Sequence, residues 1–164
     1  MLRDKSLIPL SRQHQHALSL CVRIDRAQPI PPQDLEGWHK AIERHFAEEI
    51  NIHFSAEEKV LFPSARRFPE LVPLVNELMA DHARLRGLFA QAQRRTLSGK
   101  DIVLLAQKLS AHIRKEERQL FERMQELISA EQLASLGAKL DAALEEAVHV
   151  CEIINKRKTP MSRK

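Results

Sequence analysis

A ten-residue stretch occurs twice in this chain and constrains its fold more than any other feature. The first copy, HFSAEEKVLF, begins at His53, and the second, HIRKEERQLF, begins 59 positions later at His112. In both copies a histidine is followed, four residues later, by two consecutive glutamates. On an α-helix, residues i and i+4 lie on one face, so each copy directs an imidazole and a carboxylate the same way. Two such helices facing each other would form a pocket of two histidines and two glutamates, which suits a metal ion.

The rest of the sequence has the composition of an all-α protein. A chain of 164 residues most often forms one domain with a substantial core. Glycine is scarce, with 4 residues, and the common residue types Leu, Ala, Glu, Lys, Arg and Gln favour helices. The two cysteines, Cys21 and Cys151, are too few and too distant in sequence to indicate a disulfide framework or a zinc knuckle. We expect two free thiols in a reducing cytoplasm.

The net charge of +4 comes from the C-terminus. Residues 155–164 carry five basic side chains and no acidic one, and the remainder has 21 basic and 22 acidic residues. This pattern predicts a disordered basic tail over 155–164 rather than a nucleic-acid-binding surface. No apolar run reaches the length of a membrane span, and the first residues lack the apolar core of a signal peptide. We expect a cytoplasmic protein that binds neither nucleic acid nor membrane.

Apolar periodicity and proline or glycine breakers divide the chain into five predicted helices. We expect them over about 12–27, 33–63, 69–96, 101–128 and 130–154. Ser11 is the expected N-cap of the first helix, and Ser129 and Gln132 form a capping box before the fifth. Four long amphipathic helices with short connections predict an antiparallel up-down four-helix bundle. The fifth is an additional C-terminal helix, packed outside the bundle or at an interface, so that 1–154 forms one metal-binding domain.

The apolar stripe of the second helix predicts which donors face inward, because spacing alone is weak. His39 and His45 are also followed by glutamate at the fourth residue, and such pairs are common on solvated helix faces. At about 100° per residue, His53 and Glu57 fall within about 20° of the centre of the stripe, and Glu58 falls on the opposite side. A histidine and a glutamate on an apolar face are unfavourable unless they are paired or bound to metal. Glu49 within the stripe and His45 at its edge stay open as additional ligands.

The other three long helices offer further inward donors. On the first helix His14 lies within the apolar stripe, whereas His16 is about 200° away and faces solvent. On the third helix His82 is central. On the fourth Glu116 lies within the stripe and His112 near its edge. One buried histidine is usually a core residue, but four with two carboxylates predict a metal site. The predicted ligands are His14, His53, Glu57, His82, His112 and Glu116.

These residues resemble the hemerythrin-like, or HHE cation-binding, family. The resemblance covers Ser-Arg-Gln-His ending at His14, His-Phe-x-x-Glu-Glu-x-x-Leu-Phe-Pro from His53, Asp81-His82, and His-x-x-x-Glu-Glu from His112. It implies a hemerythrin-like four-helix bundle that holds a non-haem di-iron centre, two iron ions joined by an oxo or hydroxo bridge. By this resemblance the first glutamate of each copy bridges the irons and the four histidines are terminal ligands. Imidazole and carboxylate both suit iron.

The sequence departs from the oxygen-carrying hemerythrins at two places. Their extra third-helix histidine is absent, since the positions one turn from His82 are Leu78 and Arg86. Their last carboxylate is an aspartate five residues after its histidine, whereas here Glu116 is at the fourth residue and Glu117 at the fifth, and Glu117 stays open as a ligand. Of about twelve coordination positions on two irons, roughly two stay free. These departures argue against simple reversible oxygen carriage.

Three functions are compatible with the sequence. The leading hypothesis is an iron protein that binds or responds to oxygen, peroxide or nitric oxide, in sensing, scavenging or iron storage. The alternative is a di-iron oxidase or peroxidase, because Glu36/His39 and Glu146/His149 have the Glu-x-x-His spacing of ferritin-like sites, although we expect both pairs at surface or edge positions. The third is a metal-regulated interaction module. Under each hypothesis we expect a monomer or homodimer. Replacement of iron by manganese or zinc is left open.

Overall fold

The computed structural model describes the backbone of residues 2–158 and the side chains of residues 2–146. Over this range the chain forms five long helices and no strand, which confirms the predicted all-α fold. The predicted tail beyond residue 158, and the side chains of His149 and Cys151, lie outside the described residues. The helices are α1 (Ile8–Arg26), α2 (35–65), α3 (Val72–Gln93), α4 (99–127) and α5 (Ala130–Lys158).

Capping side chains account for several of the helix boundaries. The predicted capping box before α5 is present. The backbone N–H of Gln132 donates to Ser129 Oγ at 3.3 Å, and the backbone N–H of Ser129 donates to Gln132 Oε1 at 3.2 Å. A second box, not predicted, joins Ser98 and Asp101 at the start of α4. The prediction that Ser11 caps α1 is wrong. The helix begins at Ile8, four residues before its predicted start, and Ser11 is its fourth residue.

Two of the long helices contain π-helical turns, each with one extra residue. In α2 they span Phe46–Ile50 and Glu57–Leu61, and in α4 the turn spans Glu116–Leu120. The amide after each turn donates to the carbonyl oxygen five residues earlier, as from Phe62 to Glu57. The extra residue rotates everything beyond it by about 100° relative to a regular helix. Both copies of the repeated motif therefore share a distortion that begins at their first glutamate.

The order of two apolar clusters along the helices establishes the up-down topology. Going along α1 and α3, the cluster around Leu10, Leu78 and Met124 comes before the cluster around Ile24 and Phe89. Along α2 and α4 this order is reversed, as antiparallel neighbours require. On each of the four helices the predicted metal donors lie at the junction of the two clusters. The donors therefore meet at mid-height of the bundle.

The fifth helix packs against one end of the bundle. Its buried residues Leu133, Leu136 and Leu140 belong to the cluster that contains Leu10 and Met124. Its backbone approaches the segment before α1 closely, because a Cβ added to Gly137 would lie 2.7 Å from Ser6 Cβ. The helix continues to Lys158, four residues beyond its predicted end. Among the described residues, none of the helices is both long and apolar enough to cross a membrane.

Candidate metal centre

All six predicted donors are buried, with exposed fractions between 0% and 4%. His112, expected near the edge of its apolar stripe, is 1% exposed. The π-helical turn that begins at Glu116 explains the difference. Leu120 is the last residue of the turn and Leu127 follows it, so their directions are offset from those of Leu105 and Leu109. An apolar stripe drawn with a uniform angle per residue is therefore misplaced.

One half of the cluster joins α1 to α2. The Nε2 atoms of His14 and His53 lie 2.8 Å apart. Oε1 of Glu57 is 3.1 Å from His53 Nε2, and Oε2 of Glu116 is 3.2 Å from His14 Nε2. All four side chains can place a donor atom within 4.8 Å of the others. We refer to these four side chains as the His14 half-site.

The other half joins α3 to α4 and has the same composition. The Nε2 atoms of His82 and His112 lie 3.1 Å apart. Oε2 of Glu57 is 3.4 Å from His82 Nε2, and Oε1 of Glu116 is 3.3 Å from His112 Nε2. These four side chains, the His82 half-site, also meet within 4.8 Å. Each glutamate therefore offers one oxygen to each half-site.

The donor set fits metal cations on two grounds. Two donor atoms about 2.1 Å from one ion and at right angles to each other are about 3 Å apart, which is close to the observed spacings. In addition, both carboxylate oxygens of Glu57 and of Glu116 are buried, and none has a hydrogen-bond partner among the described residues. Buried carboxylates are strongly unfavourable unless a cation compensates them, which here is a metal ion or, in its absence, the protonated rings of His14 and His82. The buried carboxylates would therefore compensate the charge of a metal cation, and the imidazoles would complete its ligands.

The second glutamate of each motif copy holds a histidine from another helix. Glu117 Oε1 lies 2.7 Å from Nδ1 of His14, and Glu58 Oε1 lies 2.7 Å from Nδ1 of His82. A ring whose Nδ1 donates to a carboxylate presents Nε2 to the metal and is a stronger ligand. The expectation that Glu58 faces away from the site is wrong, because its side chain bends back to His82. Glu117 likewise acts on a ring, outside both half-sites.

The remaining two rings have weaker partners. Nδ1 of His53 lies 2.9 Å from Oε1 of Gln13, a neutral acceptor that the sequence did not single out. Nδ1 of His112 has no hydrogen-bond partner among the described residues, and the Asp81 carboxylate is 3.9 Å away. Asp81 in turn accepts a hydrogen bond from Lys115 Nζ at 2.8 Å. Each half-site therefore combines one histidine bound to a carboxylate with one that is less firmly held.

These contacts shift the pKa values in the absence of metal. Burial raises the pKa of Glu117, but the hydrogen bonds from His14 and Ser11 and the charges of His14 and Arg3 together outweigh it, and the resulting pKa is about 2. The pKa of Glu58 is also lowered to about 2, because His82 and Arg86 outweigh burial. Burial lowers the pKa of His14 and His82, yet the surrounding carboxylates raise it to about 9 in both. Without metal these two rings hold protons at neutral pH, which a metal ion would displace.

The other candidate donors on α2 lie outside the cluster. Glu49 accepts a hydrogen bond from Nδ1 of His16 at 2.8 Å, and His45 is 3.7 Å from its other oxygen. His39, expected at the surface, is 3% exposed and donates from Nε2 to the Leu97 carbonyl oxygen at 3.0 Å. The arrangement makes His39 a structural link to the start of α4.

The glutamates of the ferritin-like spacing do not join a site. Glu36 is 57% exposed on its side chain and pairs with Lys40 and Arg95. Glu146 is exposed. Among the described residues, only the two half-sites bring three or more histidine, cysteine or acidic donors within reach of one ion.

A small cavity adjoins the two histidines of the His14 half-site, and His112 of the other half-site also lines it. Its volume is about 10 Å³, which is near the space that one water molecule requires. Apolar side chains form most of its wall, and Gln13 and Glu49 are the polar residues that line it beside the histidines. The apolar wall residues are Ala17, Ile50, Phe54, Leu109 and Ile113.

Comparison with known proteins agrees with this geometry. The chain matches the hemerythrin HHE cation binding domain over residues 9–124, a span that includes all six donors and most of the four-helix bundle. No curated protein and no solved structure matches it significantly. The match covers well over half of the chain. The chain therefore belongs to the hemerythrin HHE cation-binding domain family.

Proposed function

We propose that the chain binds two iron ions, one in each half-site, with Glu57 and Glu116 bridging them. The observation that carries this proposal is that two groups of four buried donors share both glutamates. Two shared carboxylates hold two cations at a fixed separation and compensate part of their charge. Nitrogen and oxygen donors in this combination suit iron, and the absence of thiolate donors disfavours soft metals.

We further propose that oxygen, peroxide or nitric oxide binds beside the His14 half-site, as a signal or for scavenging. Iron supplies one-electron redox chemistry and affinity for such small ligands. Four histidines, two bridging carboxylates and one oxo or hydroxo bridge fill about ten of about twelve positions. The apolar cavity of about 10 Å³ offers room for a small ligand and little hydration. Its walls limit the access of bulk water and of larger substrates.

The experiment is iron analysis of protein from iron-supplemented cells, with absorption spectra recorded in air and under nitrogen. We expect about two irons per chain and oxo-to-iron charge-transfer absorption in air. His53→Ala removes a buried donor and should sharply reduce bound iron. His16→Ala, at an exposed ring whose Nδ1 pairs with Glu49, should not. Protein that carries no metal, or equal iron in the two variants, would contradict the proposal.

Peroxide turnover by the same centre is the second candidate, favoured by the open coordination positions that the donor count leaves. Steady-state consumption of peroxide by the iron-loaded protein would support an enzyme, while stoichiometric reaction would support a sensor or store. The ferritin-like version of this alternative requires Glu36, which lies on the surface. We therefore expect Glu36→Ala to keep its iron.

A further inference from the structure

The segment before α1 lies on the outside of the His14 half-site. We call residues 2–7 the N-terminal strap; they precede the part of the chain that matches the family. Arg3 on this strap donates from Nη2 to Oε2 of Glu117 at 2.6 Å and to its carbonyl oxygen at 2.8 Å. Its Nη1 donates to Gln125 Oε1 at 3.1 Å. One guanidinium therefore fixes both the backbone and the carboxylate of the residue that holds His14.

Contacts with α4 and α5 keep the strap in place. The Asp4 amide donates to Gln125 Oε1 at 3.1 Å, and Gln125 Nε2 donates to the Leu2 carbonyl oxygen at 3.0 Å. On the α5 side, Gly137 leaves no room for a side chain against Ser6, whose Cβ would be 2.7 Å from an added Cβ. The strap is thus held between two helices, and α5 also lies outside the matched region.

Arg3 contacts His14 indirectly, through two different side chains. The first is Glu117, whose carboxylate is shared between Arg3 and Nδ1 of His14. The second is Phe121. The guanidinium carbon lies 5.0 Å from the centroid of this ring, and the ring stacks on His14 at 5.6 Å with an interplanar angle of 16°. The position of the imidazole therefore depends on a residue that is distant from it in sequence.

The His82 half-site has the same arrangement, with one difference. Arg86 donates to Glu58 at 2.6 Å, Glu58 accepts from His82, and the Arg86 guanidinium lies 5.4 Å from the Phe54 ring, which stacks on His82 at 3.8 Å. Arg86 is on α3, one helical turn after His82, so the helix itself fixes the pair. Arg3 belongs to no helix, and its position depends on the contacts of the N-terminal strap with α4 and α5.

We propose that Arg3 is a positioning residue for the His14 half-site, so that docking of the N-terminal strap sets the metal affinity of this half-site separately from the other. This inference rests on the proposed binding of two ions. Without Arg3, Oε1 of Glu117 keeps its hydrogen bonds to Ser11 and His14, but Oε2 loses the guanidinium that holds it, so the acceptor at Nδ1 of His14 is less firmly placed. Loss of such an outer partner typically reduces metal affinity by about 10- to 100-fold. The contacts of Arg86 leave the His82 half-site unaffected by the strap.

The test is a titration of the metal-free full chain with Co²⁺ under nitrogen, followed by absorption and calorimetry. Arg3→Ala should weaken one ion by about 10- to 100-fold and leave the other unchanged. In a His112→Ala background, which disables the His82 half-site, Arg3→Ala should weaken the remaining ion by the same factor. In a His14→Ala background it should have no further effect. Equal weakening in both backgrounds would show a general structural role and overturn the inference.

Two further variants separate positioning from folding. Arg3→Lys keeps the charge but not the planar fork, and we expect it to restore part of the lost affinity. Gly137→Ala touches no donor and favours the helix by propensity, yet it displaces Ser6; we expect it to weaken the same ion as Arg3→Ala. Unchanged affinity in Gly137→Ala would overturn the role of α5 as a clamp.

Parent protein that binds fewer than two Co²⁺ ions would contradict the proposed function, whereas two ions unaffected by Arg3→Ala would contradict this inference alone.

Discussion

Glu116 and Glu117 are neighbours on α4, and they contact the His14 imidazole from opposite sides. Oε2 of Glu116 is 3.2 Å from Nε2, and Oε1 of Glu117 is 2.7 Å from Nδ1. Glu57 and Glu58 hold His82 in the same way, at 3.4 Å and 2.7 Å. The Glu-Glu pair of each motif copy therefore clamps a histidine from another helix, with one carboxylate on the metal side and one on the outer side.

The outer carboxylates should tune metal affinity without being ligands. In Glu117→Gln the side chain keeps an acceptor for Nδ1 of His14 but loses its charge, so we expect the Co²⁺ affinity of one ion to fall by about tenfold. Glu117→Ala removes the acceptor too and should approach about 100-fold. Glu48→Gln, at an exposed position on α2, is the control. Equal affinities for all three variants would show that the outer hydrogen bond does not act on the metal.

The metal-free protein should be most stable between about pH 4.5 and 6.5, by the linkage of pKa shifts to stability. Burial lowers the pKa of His14 and His82, but nearby carboxylates raise it from 6.5 to about 9. Groups with a raised pKa stabilise the fold below pH 6.5, and this stabilisation is lost as the pH rises through 9. Burial raises the pKa of Glu58 and Glu117, but their partners lower it from 4.5 to about 2. Their stabilisation is lost as the pH falls from 4.5 to 2.

Urea unfolding in the presence of a chelator, from pH 3 to pH 10, measures this profile. Metal-loaded protein should lack the decline on the alkaline side, because the ions replace the protons on the two rings. A metal-free stability that is constant between pH 6.5 and 9 would contradict the assigned protonation. The acidic limb reports protonation of the outer carboxylates Glu58 and Glu117, whereas the alkaline limb reports loss of protons from His14 and His82.

The sequence identifies the inward donors because their chemistry conflicts with an apolar helix face. That conflict is local, and it singles out residues such as His53 and Glu57 without knowledge of their partners. The residues that hold the histidines on the side away from the half-sites show no such conflict in the sequence. The contact between Arg3 and Glu117 joins residues separated by 114 positions, and Arg3 lies outside any helical period. A π-helical turn also departs from a uniform angle per residue, and the turn in α4 is why the sequence places His112 near the edge of its stripe.

His39 should contribute to stability and not to metal binding. It is buried on α2 and links this helix to the Leu97 carbonyl oxygen before α4. Because His39→Ala leaves that oxygen without its donor, we expect a loss of about 1–3 kcal/mol in the free energy of unfolding. Its metal content should equal that of the parent. Denaturant unfolding of the metal-free form and metal analysis measure the two effects, and reduced metal content would mean that His39 reaches the centre.

The cavity beside the His14 half-site should control the binding of small ligands. Ala17 is on α1, three residues after His14, and lines this cavity of about 10 Å³. Ala17→Val fills a space of that size, so we expect the iron to be retained while the affinity for azide or nitric oxide falls by at least about tenfold, equivalent to about 1.4 kcal/mol.

The matched control for Ala17→Val is Ala106→Val, a buried alanine on α4. It borders a groove of about 310 Å³ that contains none of the six donors. Both substitutions add the same two carbons to a helix, so effects of β-branching and modest overpacking apply to both. Absorption titrations of the iron-loaded variants measure ligand affinity, and iron analysis measures retention. If Ala17→Val binds azide and nitric oxide as tightly as Ala106→Val does, the ligand reaches the iron by a route that avoids this cavity.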